Sequence, residues 1–324
     1  MKKLMKQYQR EFSVIIAIVI MFIFFGIANP IYLAPSNIRD IIEQGTIYGL
    51  MGIGMTGVII TGGIDLSVGS VLALVGAVVA QGAVAGLPPV ICLVLGLIIG
   101  LLAGFINGFL VAKLKLQPFV ATMGTMSIYR GLAYVVTKGY PVLGVPTNYR
   151  VMLDGELLPF LRISVVIFFV LAVIMSIVFS KTKLGTYMYA LGGNEEACRL
   201  SGIKIDKFKI IIYSIGMLGT ALAAMIQVAK LGTGDPTTGQ GYELNAIAAA
   251  AIGGTSMAGG RGTIVGTVLG AILFSGLKVG LVVLGVDTFY QFIATGLVII
   301  IAACIEITQS KLSGNMKHKL KEIA

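Results

Sequence analysis

Apolar runs of near-membrane length, separated by short polar or Gly/Pro-rich breaks, set the pattern of this chain. A spanning helix needs about 20 consecutive, mostly apolar residues. Read at that length, the pattern predicts ten spans, near 12–28, 45–62, 66–85, 90–112, 117–137, 162–180, 210–230, 244–258, 263–284 and 287–305, of which the eighth is short. One charged, helix-capable stretch, 182–209, interrupts the series. Within it Asn194-Glu195-Glu196-Ala197-Cys198-Arg199-Leu200-Ser201-Gly202 reads as a single short helix. Asn194 supplies an N-cap oxygen, Glu195 and Glu196 sit at the positive end of the helix dipole, Arg199 lies near the negative end, and Gly202 provides the left-handed stop. A capped helix exposed between two spans is suited to docking into another protein, which points to a transporter powered by a partner.

Composition agrees with an all-α polytopic membrane protein. Hydrophobic residues make up 57% of the 324 positions, charged residues only 12%, and the mean hydropathy is +0.96. A soluble domain of this length needs more charge on its surface. We expect one transmembrane domain over 1–324, with 181–209 as a cytoplasmic loop within it. The net charge of +10 is distributed for a membrane, not for nucleic acid. The N-terminus, the loops near 113–115, 181–209 and 256–262, and the tail from 306 hold 17 of the 24 Lys and Arg residues, leaving Arg39, Arg130, Lys138, Arg150, Arg162, Lys230 and Lys278 elsewhere. Placing those regions in the cytoplasm satisfies the positive-inside rule, and an even number of spans then puts both termini inside. Lys2, Lys3, Lys6 and Arg10 before the run 12–28 have the charge order of a signal peptide, but the run is long for one, and we expect it to stay as the first helix.

The chemistry-bearing residues are few. Cys92, Cys198 and Cys304 lack metal-ligand or disulfide spacing, and the single histidine, His318, lies in the basic tail, so neither a metal site nor a catalytic constellation is expected. Two glycine-rich breaks stand out instead. Thr61-Gly62-Gly63-Ile64-Asp65-Leu66-Ser67-Val68-Gly69 interrupts a long apolar run, and Asp65 either caps the following helix or also lines a translocation path or gate. Ile252-Gly253-Gly254-Thr255-Ser256-Met257-Ala258-Gly259-Gly260-Arg261-Gly262 is richer still in glycine. No Gly-Lys pair exists anywhere in the chain, so the phosphate-cradling Walker A pattern is absent. Arg261 reads as a topology anchor or a partner contact. Arg130, Lys230, Glu243, Lys278 and Asp287 are taken to snorkel from predicted span ends. The segments 138–161 and 231–245 read as external loops, either plain connections or a landing surface on which Arg150, Asp154, Glu156 and Asp235 are the candidate charges. Gly100, Gly104 and Gly108 match the spacing of Gly262, Gly266 and Gly270, and similar fragments follow each set, Phe119-Val120-Ala121-Thr122 and Phe292-Ile293-Ala294-Thr295. That spacing permits close helix packing, and it also fits an inverted repeat of spans 2–5 on spans 7–10.

At these residues the chain resembles a known family. Gly62-Gly63-Ile64-Asp65-Leu66-Ser67-Val68-Gly69-Ser70 and Ala250-Ala251-Ile252-Gly253-Gly254-Thr255-Ser256-Met257-Ala258-Gly259-Gly260-Arg261-Gly262-Thr263 resemble signatures of ribose-type sugar permeases of bacterial ABC importers, in the branched-chain amino acid/sugar permease family. Glu196-Ala197-Cys198-Arg199-Leu200-Ser201-Gly202 resembles the Glu-Ala-Ala-x-x-x-Gly loop of importer permeases, with Cys198 in place of the second alanine. The resemblance implies a permease of about ten helices with an inverted repeat, working as a homodimer or heterodimer in the bacterial inner membrane. It implies that Asn194, Glu195, Glu196, Ala197, Arg199 and Gly202 form a coupling helix seated in a cytoplasmic ABC ATPase. ATP and Mg²⁺ would be used by that partner, with no cofactor bound by this chain. An extracytoplasmic sugar-binding protein would deliver the cargo, and Gly62, Gly63, Asp65, Ser67, Gly253, Gly254 and Thr255 become candidates for the path or gate. The competing readings are the same machinery with a nucleoside, sugar-like autoinducer or branched-chain amino acid as cargo, an ATP-independent carrier, and a cargo-free membrane scaffold.

Overall fold

The computed structural model describes residues 9–301, apart from Phe160 and Ile299, together with Cys304. Lys2, Lys3, Lys6, the tail from 306 with His318, and part of the tenth predicted span lie outside the described residues. The chain is a helical bundle: α1 (Gln9–Ala28), a 3-10 turn (Pro30–Leu33), α2 (Pro35–Ile60), α3 (Val68–Val84), α4 (Pro89–Ala112), α5 (Pro118–Thr137), α6 (Thr147–Asp154), α7 (Ile163–Lys181), α8 (Lys183–Gly193), α9 (Glu195–Leu200), α10 (Ile205–Leu231), α11 (Tyr242–Ile252), α12 (Ile264–Val283) and α13 (Thr288–Val298). Proline opens α2, α4 and α5, where its fixed φ suits a first turn and its missing N–H costs nothing. Among the described residues α1, α4, α7, α10 and α12 are long and apolar enough to cross a membrane, and α3, α11 and α13 are shorter apolar helices. The molecule is a polytopic helical membrane protein.

Small residues hold the bundle together, as packing in lipid requires when no hydrophobic effect drives helices together. Gly100, Gly104 and Gly108 on α4 lie against α10. An added Cβ at Gly100 would come 2.8 Å from that of Ala221, and one at Gly108 would come 2.7 Å from the Cα of Ile210. Gly266 and Gly270 bring α12 onto Gly253 and Ala249 of the α11 region. At the centre α2 crosses α10 with Gly54 pressed on Gly216, where a methyl group at Gly54 would overlap the Gly216 carbonyl. Helix α1 seats Met21 and Phe25 against Gly276 and Gly280 of α12.

The end of the bundle remote from α9 carries α6 and two small antiparallel sheets. One pairs β1 (Val142–Leu143) with β4 (Thr233–Gly234), and the other pairs β2 (Glu156–Leu158) with β3 (Leu161–Arg162). An ion network ties these loops to the helices. Glu43 of α2, only 7% exposed, receives Arg39 Nε at 2.8 Å, Arg162 Nε at 2.8 Å and Lys230 Nζ at 2.7 Å. Arg39 also reaches Glu156 at 2.7 Å, and Arg162 binds Asp154, which accepts from Ser164 Oγ at 2.6 Å. Lys230 and Arg162 are therefore internal partners, and Asp154 is buried, which removes it from any landing surface. Arg150 donates to the Ala229 carbonyl and, with Glu156, remains exposed.

Two elements differ from the sequence reading. The eighth span was expected over 244–258; α11 ends at Ile252, because Gly253 packs on the backbone of Gly266 and Gly254 turns at φ +86. At 11 residues and about 1.5 Å per residue, α11 is roughly 16 Å long and covers only half a bilayer core. The segment 231–245, expected as an external loop, is packed into the bundle instead. It runs back along α3, with Gly234 against Gly76 and Ala80 and Gly239 against Gly69.

Candidate functional site

The capped helix forms as its residues predict. Asn194 is extended, at φ −161 and ψ 100, and its side-chain oxygen accepts from Ala197 N at 2.9 Å. Glu195 and Glu196 occupy the first turn and Arg199 the last. Gly202, at φ +76, closes a Schellman stop in which Gly202 N donates to the Arg199 carbonyl and Ile203 N to the Cys198 carbonyl. The underside is apolar, with Cys198 resting on Leu191 and Ile205. The three charges of this helix differ in their surroundings. Glu195 is held internally by Lys209 Nζ at 2.6 Å, whereas Glu196 and Arg199 are 66% and 58% exposed in their side chains and contact each other only loosely, at 3.7 Å. Leu200, which the sequence reading passed over, is 82% exposed. An apolar residue at the tip of an otherwise charged helix was the available signal.

Helix α8 joins this capped helix to both glycine breaks. A Cβ at Gly192 would overlap the Ile60 carbonyl and the Gly260 amide, so no larger residue allows this approach. Gly260 N donates to the Ile60 carbonyl at 2.8 Å, and Tyr189 Oη donates to the Gly262 carbonyl at 2.7 Å. The fold thus gathers 194–202, the end of α2 at 61–67 and the 253–262 break at one end of the bundle. Gly253, Thr255 and Ser256 of the 253–262 turn are buried there, whereas Met257, Ala258 and Arg261 are exposed. Ser256 N donates to the Arg261 carbonyl at 2.9 Å, and the Thr255 hydroxyl, 1% exposed, has no hydrogen-bond partner among the described residues.

The first break is organised by Asp65, which is 2% exposed. Gly62 turns at φ +76, and the chain then places Asp65 so that Oδ1 accepts from Ser67 N at 2.9 Å and Ser67 Oγ at 2.7 Å. Asn107 Nδ2 of α4 donates to Asp65 Oδ2 at 2.9 Å and to Ser67 Oγ at 2.8 Å. Tyr129 Oη of α5 donates to the Ala103 carbonyl at 3.1 Å and lies 3.5 Å from Asn107 Oδ1. The neighbouring Ile64 carbonyl accepts from Tyr213 Oη at 3.4 Å, and that ring fills the space beside Gly63. Asp65 therefore caps the start of α3 and locks α2, α4 and α5 together around an unwound turn. Asn107 and Tyr129, polar residues inside predicted spans, were the readable signs of this network and were not drawn on.

A third turn, at 232–239, repeats the device. Gly232 turns at φ +70, and Asp235 Oδ1 accepts from Thr237 N and Thr237 Oγ1, each at 2.7 Å. The pattern Gly-x-x-Asp-x-Ser/Thr-x-Gly covers 62–69 and recurs at 232–239, 170 positions later. Arg130, expected to snorkel, is instead 12 residues inside α5 and donates to the carbonyls of Pro236 at 2.6 Å, Thr238 at 2.8 Å and Gly69 at 3.2 Å. Lys278 is likewise internal to α12, within 5.1 Å of the Tyr48 ring centre and 5.6 Å of that of Phe274. Asp235 is a turn former, half-buried, and not a free surface charge.

Residues 37–303 match the family described as branched-chain amino acid transport system / permease component. The chain belongs to that permease family. The permease is 47% identical over 295 residues to the ribose import permease protein RbsC of Bacillus subtilis (strain 168), covering 90% of this chain and 91% of that protein. It is 40% identical over 309 residues to the ribose import permease protein RbsC of Escherichia coli (strain K12), covering 93% and 95%. The D-allose transport system permease protein AlsC of Escherichia coli (strain K12) is 34% identical over 289 residues, covering 89% and 88%. No solved structure matches the permease.

Proposed function

We propose that this permease is the membrane subunit of an ATP-driven importer for ribose or a closely similar monosaccharide in the bacterial inner membrane. Two permease chains enclose the path, an extracytoplasmic binding protein delivers the sugar, and a separate cytoplasmic ATPase supplies ATP hydrolysis with its Mg²⁺. The chain has ten spans and both termini in the cytoplasm, with the α9 end facing the ATPase. The inverted repeat of spans 2–5 on 7–10 is supported by the recurring Asp turn and by packing. Gly100, Gly104 and Gly108 seat α4 on α10, and α12 packs correspondingly on α2, where Gly45 meets Ser275 and Gly52 meets Thr267. The cargo reading rests on relatives named for ribose import at 40–47% identity over nine-tenths of the chain.

The observation that carries the coupling role is the continuous contact from α9 through Gly192 and Tyr189 of α8 to both glycine breaks. ATP-driven closure of the partner moves α9, and α8 passes that movement to the ends of α2 and α11. Gly62, Gly63, Asp65, Ser67, Gly253, Gly254 and Thr255 then act as the gate at this end, with Asn194 and Gly202 fixing the shape of the docking helix and Ala197 its first hydrogen bond. The test is Arg199→Glu in the importer reconstituted with its ATPase and binding protein. ATP hydrolysis is expected to persist while ribose uptake falls at least tenfold, and unchanged uptake at equal chain levels would defeat the assignment. An ATP-independent carrier would retain uptake after the ATPase is removed.

A further inference from the structure

A membrane core tolerates non-helical backbone only where protein covers it or water fills a cavity beside it. Helix α5 runs from Pro118 to Thr137, so Arg130 lies 12 residues, about 18 Å, from one end and 7 residues, about 10 Å, from the other. Because Arg130 holds Pro236 and Thr238, the unwound segment 232–241 reaches this depth. One side of it is covered by α3, through Gly69, Gly76 and Ala80, and by Arg130. Among the described residues nothing covers the other side. Thr237 and Gln240 are exposed there, and so are Ser127 and Tyr134, one turn on either side of Arg130 on α5. Polar side chains and irregular backbone facing outward at this depth are not a lipid surface.

The charges agree. Among the described residues Arg130 makes no ion pair, and it donates to backbone carbonyls. Glu243, in the first turn of α11, is half-buried against Gly69, and its carboxylate is met by the amides of Gly241 and its own residue. An intramembrane cation and anion that both approach Gly69 mark a polar pathway. We propose that segment 232–241, with Arg130 and Glu243, forms the hydroxyl-binding surface of the cargo path. Glu243 accepts from sugar hydroxyls, Thr237 and the Gln240 amide donate to them, and Arg130 is the positioning residue that holds the unwound backbone in place. The cargo class rests on the sugar-importer reading, whereas the location of the path rests on geometry alone. This surface meets the first turn of α3 at Gly69, two residues beyond the gate residue Ser67.

Cys92 and Cys198 are buried, so Gln240→Cys in a Cys304→Ala background presents one new accessible thiol. In the reconstituted importer, a water-soluble cationic methanethiosulfonate is expected to label it, and ribose delivered by the binding protein to slow labelling at least fivefold. Labelling only by a lipid-soluble maleimide, or by neither reagent, overturns the location. Glu243→Gln is expected to cut ribose uptake at least tenfold while the loaded binding protein still stimulates ATP hydrolysis, with partial recovery in Glu243→Asp. Uptake at the wild-type level in Glu243→Gln overturns the role of that carboxylate. Labelling of the Gln240→Cys importer by the cationic reagent, with no ribose uptake by the wild-type importer, refutes the cargo reading and leaves the path standing.

Discussion

Asp65→Asn separates a structural cap from a gate. Asp65 accepts three side-chain and backbone hydrogen bonds, two on Oδ1 from Ser67 and one on Oδ2 from Asn107. Asparagine retains one acceptor, which keeps the Ser67 bonds if its amide is turned toward Asn107. Two NH₂ groups then face each other across a contact that was 2.9 Å donor to acceptor. Losing a hydrogen bond to a charged acceptor and leaving a buried donor unpaired costs about 1.5–3 kcal/mol. Removing a buried carboxylate that has no cationic partner returns part of this, so the net loss is about 1–2 kcal/mol. The expected result is a melting temperature lowered by several degrees in detergent. The exchange Asp65→Asn with Asn107→Asp restores the donor–acceptor match between 65 and 107. It leaves Ser67 Oγ with one proton for two acceptors, so about half the loss returns. Thermal melting and ribose uptake are measured on all three chains. Recovery of both in the exchange assigns Asp65 to capping, and recovery of stability without uptake assigns its carboxylate to the gate. An Asp65→Asn chain as stable as the wild type would refute the network account altogether.

Two further outcomes follow from the packing. Leu200 is 82% exposed, and burying a leucine side chain stabilises by roughly 1.5–3 kcal/mol. Leu200→Ala is therefore expected to weaken ATPase docking by about 1–2 kcal/mol, roughly 5- to 30-fold in Kd, with thermal stability unchanged; an unaltered Kd in nanodiscs would place the docking face elsewhere. Gly54→Val inserts a branched side chain into the α2–α10 crossing, where even one methyl overlaps the Gly216 carbonyl. It is expected to cost at least about 3 kcal/mol and abolish a monodisperse, folded product, and a well-folded chain by size exclusion and melting would contradict the close crossing.

Most helices were legible because apolar runs of membrane length have few alternatives. The ends of α3, α4, α5, α7 and α12 fall within two residues of the reading, since proline or a polar turn marks them. The capped helix at 194–202 was equally legible, because N-cap, dipole and stop signals are local and mutually consistent. What failed was depth. Segment 231–245 is polar and rich in glycine, so its composition cannot be told from that of a surface loop. Only its contacts with Gly69, Gly76 and Arg130 place it inside. Arg130 and Lys230 were misread for the same reason, since a long cation near a predicted boundary has two solutions, snorkelling or an internal partner, and tertiary structure chooses. The recurrence of the Asp turn after 170 positions was in the sequence but shares only four of eight residue classes, too few to stand out without the shared geometry.

The ion network at the end remote from α9 has an electrical consequence. Arg39, Arg162 and Lys230 carry three positive charges, and Glu43, Asp154 and Glu156 carry three negative ones within contact distance. Their sum is zero, so the cluster has no monopole field. Whatever higher-order field remains is screened beyond a Debye length of about 8 Å in physiological salt. A neutral solute arriving at this rim is neither drawn in nor slowed, and small ions gain no local enrichment. The rim thus sorts what approaches it by shape and hydrogen bonding, and the arrival rate of an uncharged cargo is indifferent to ionic strength.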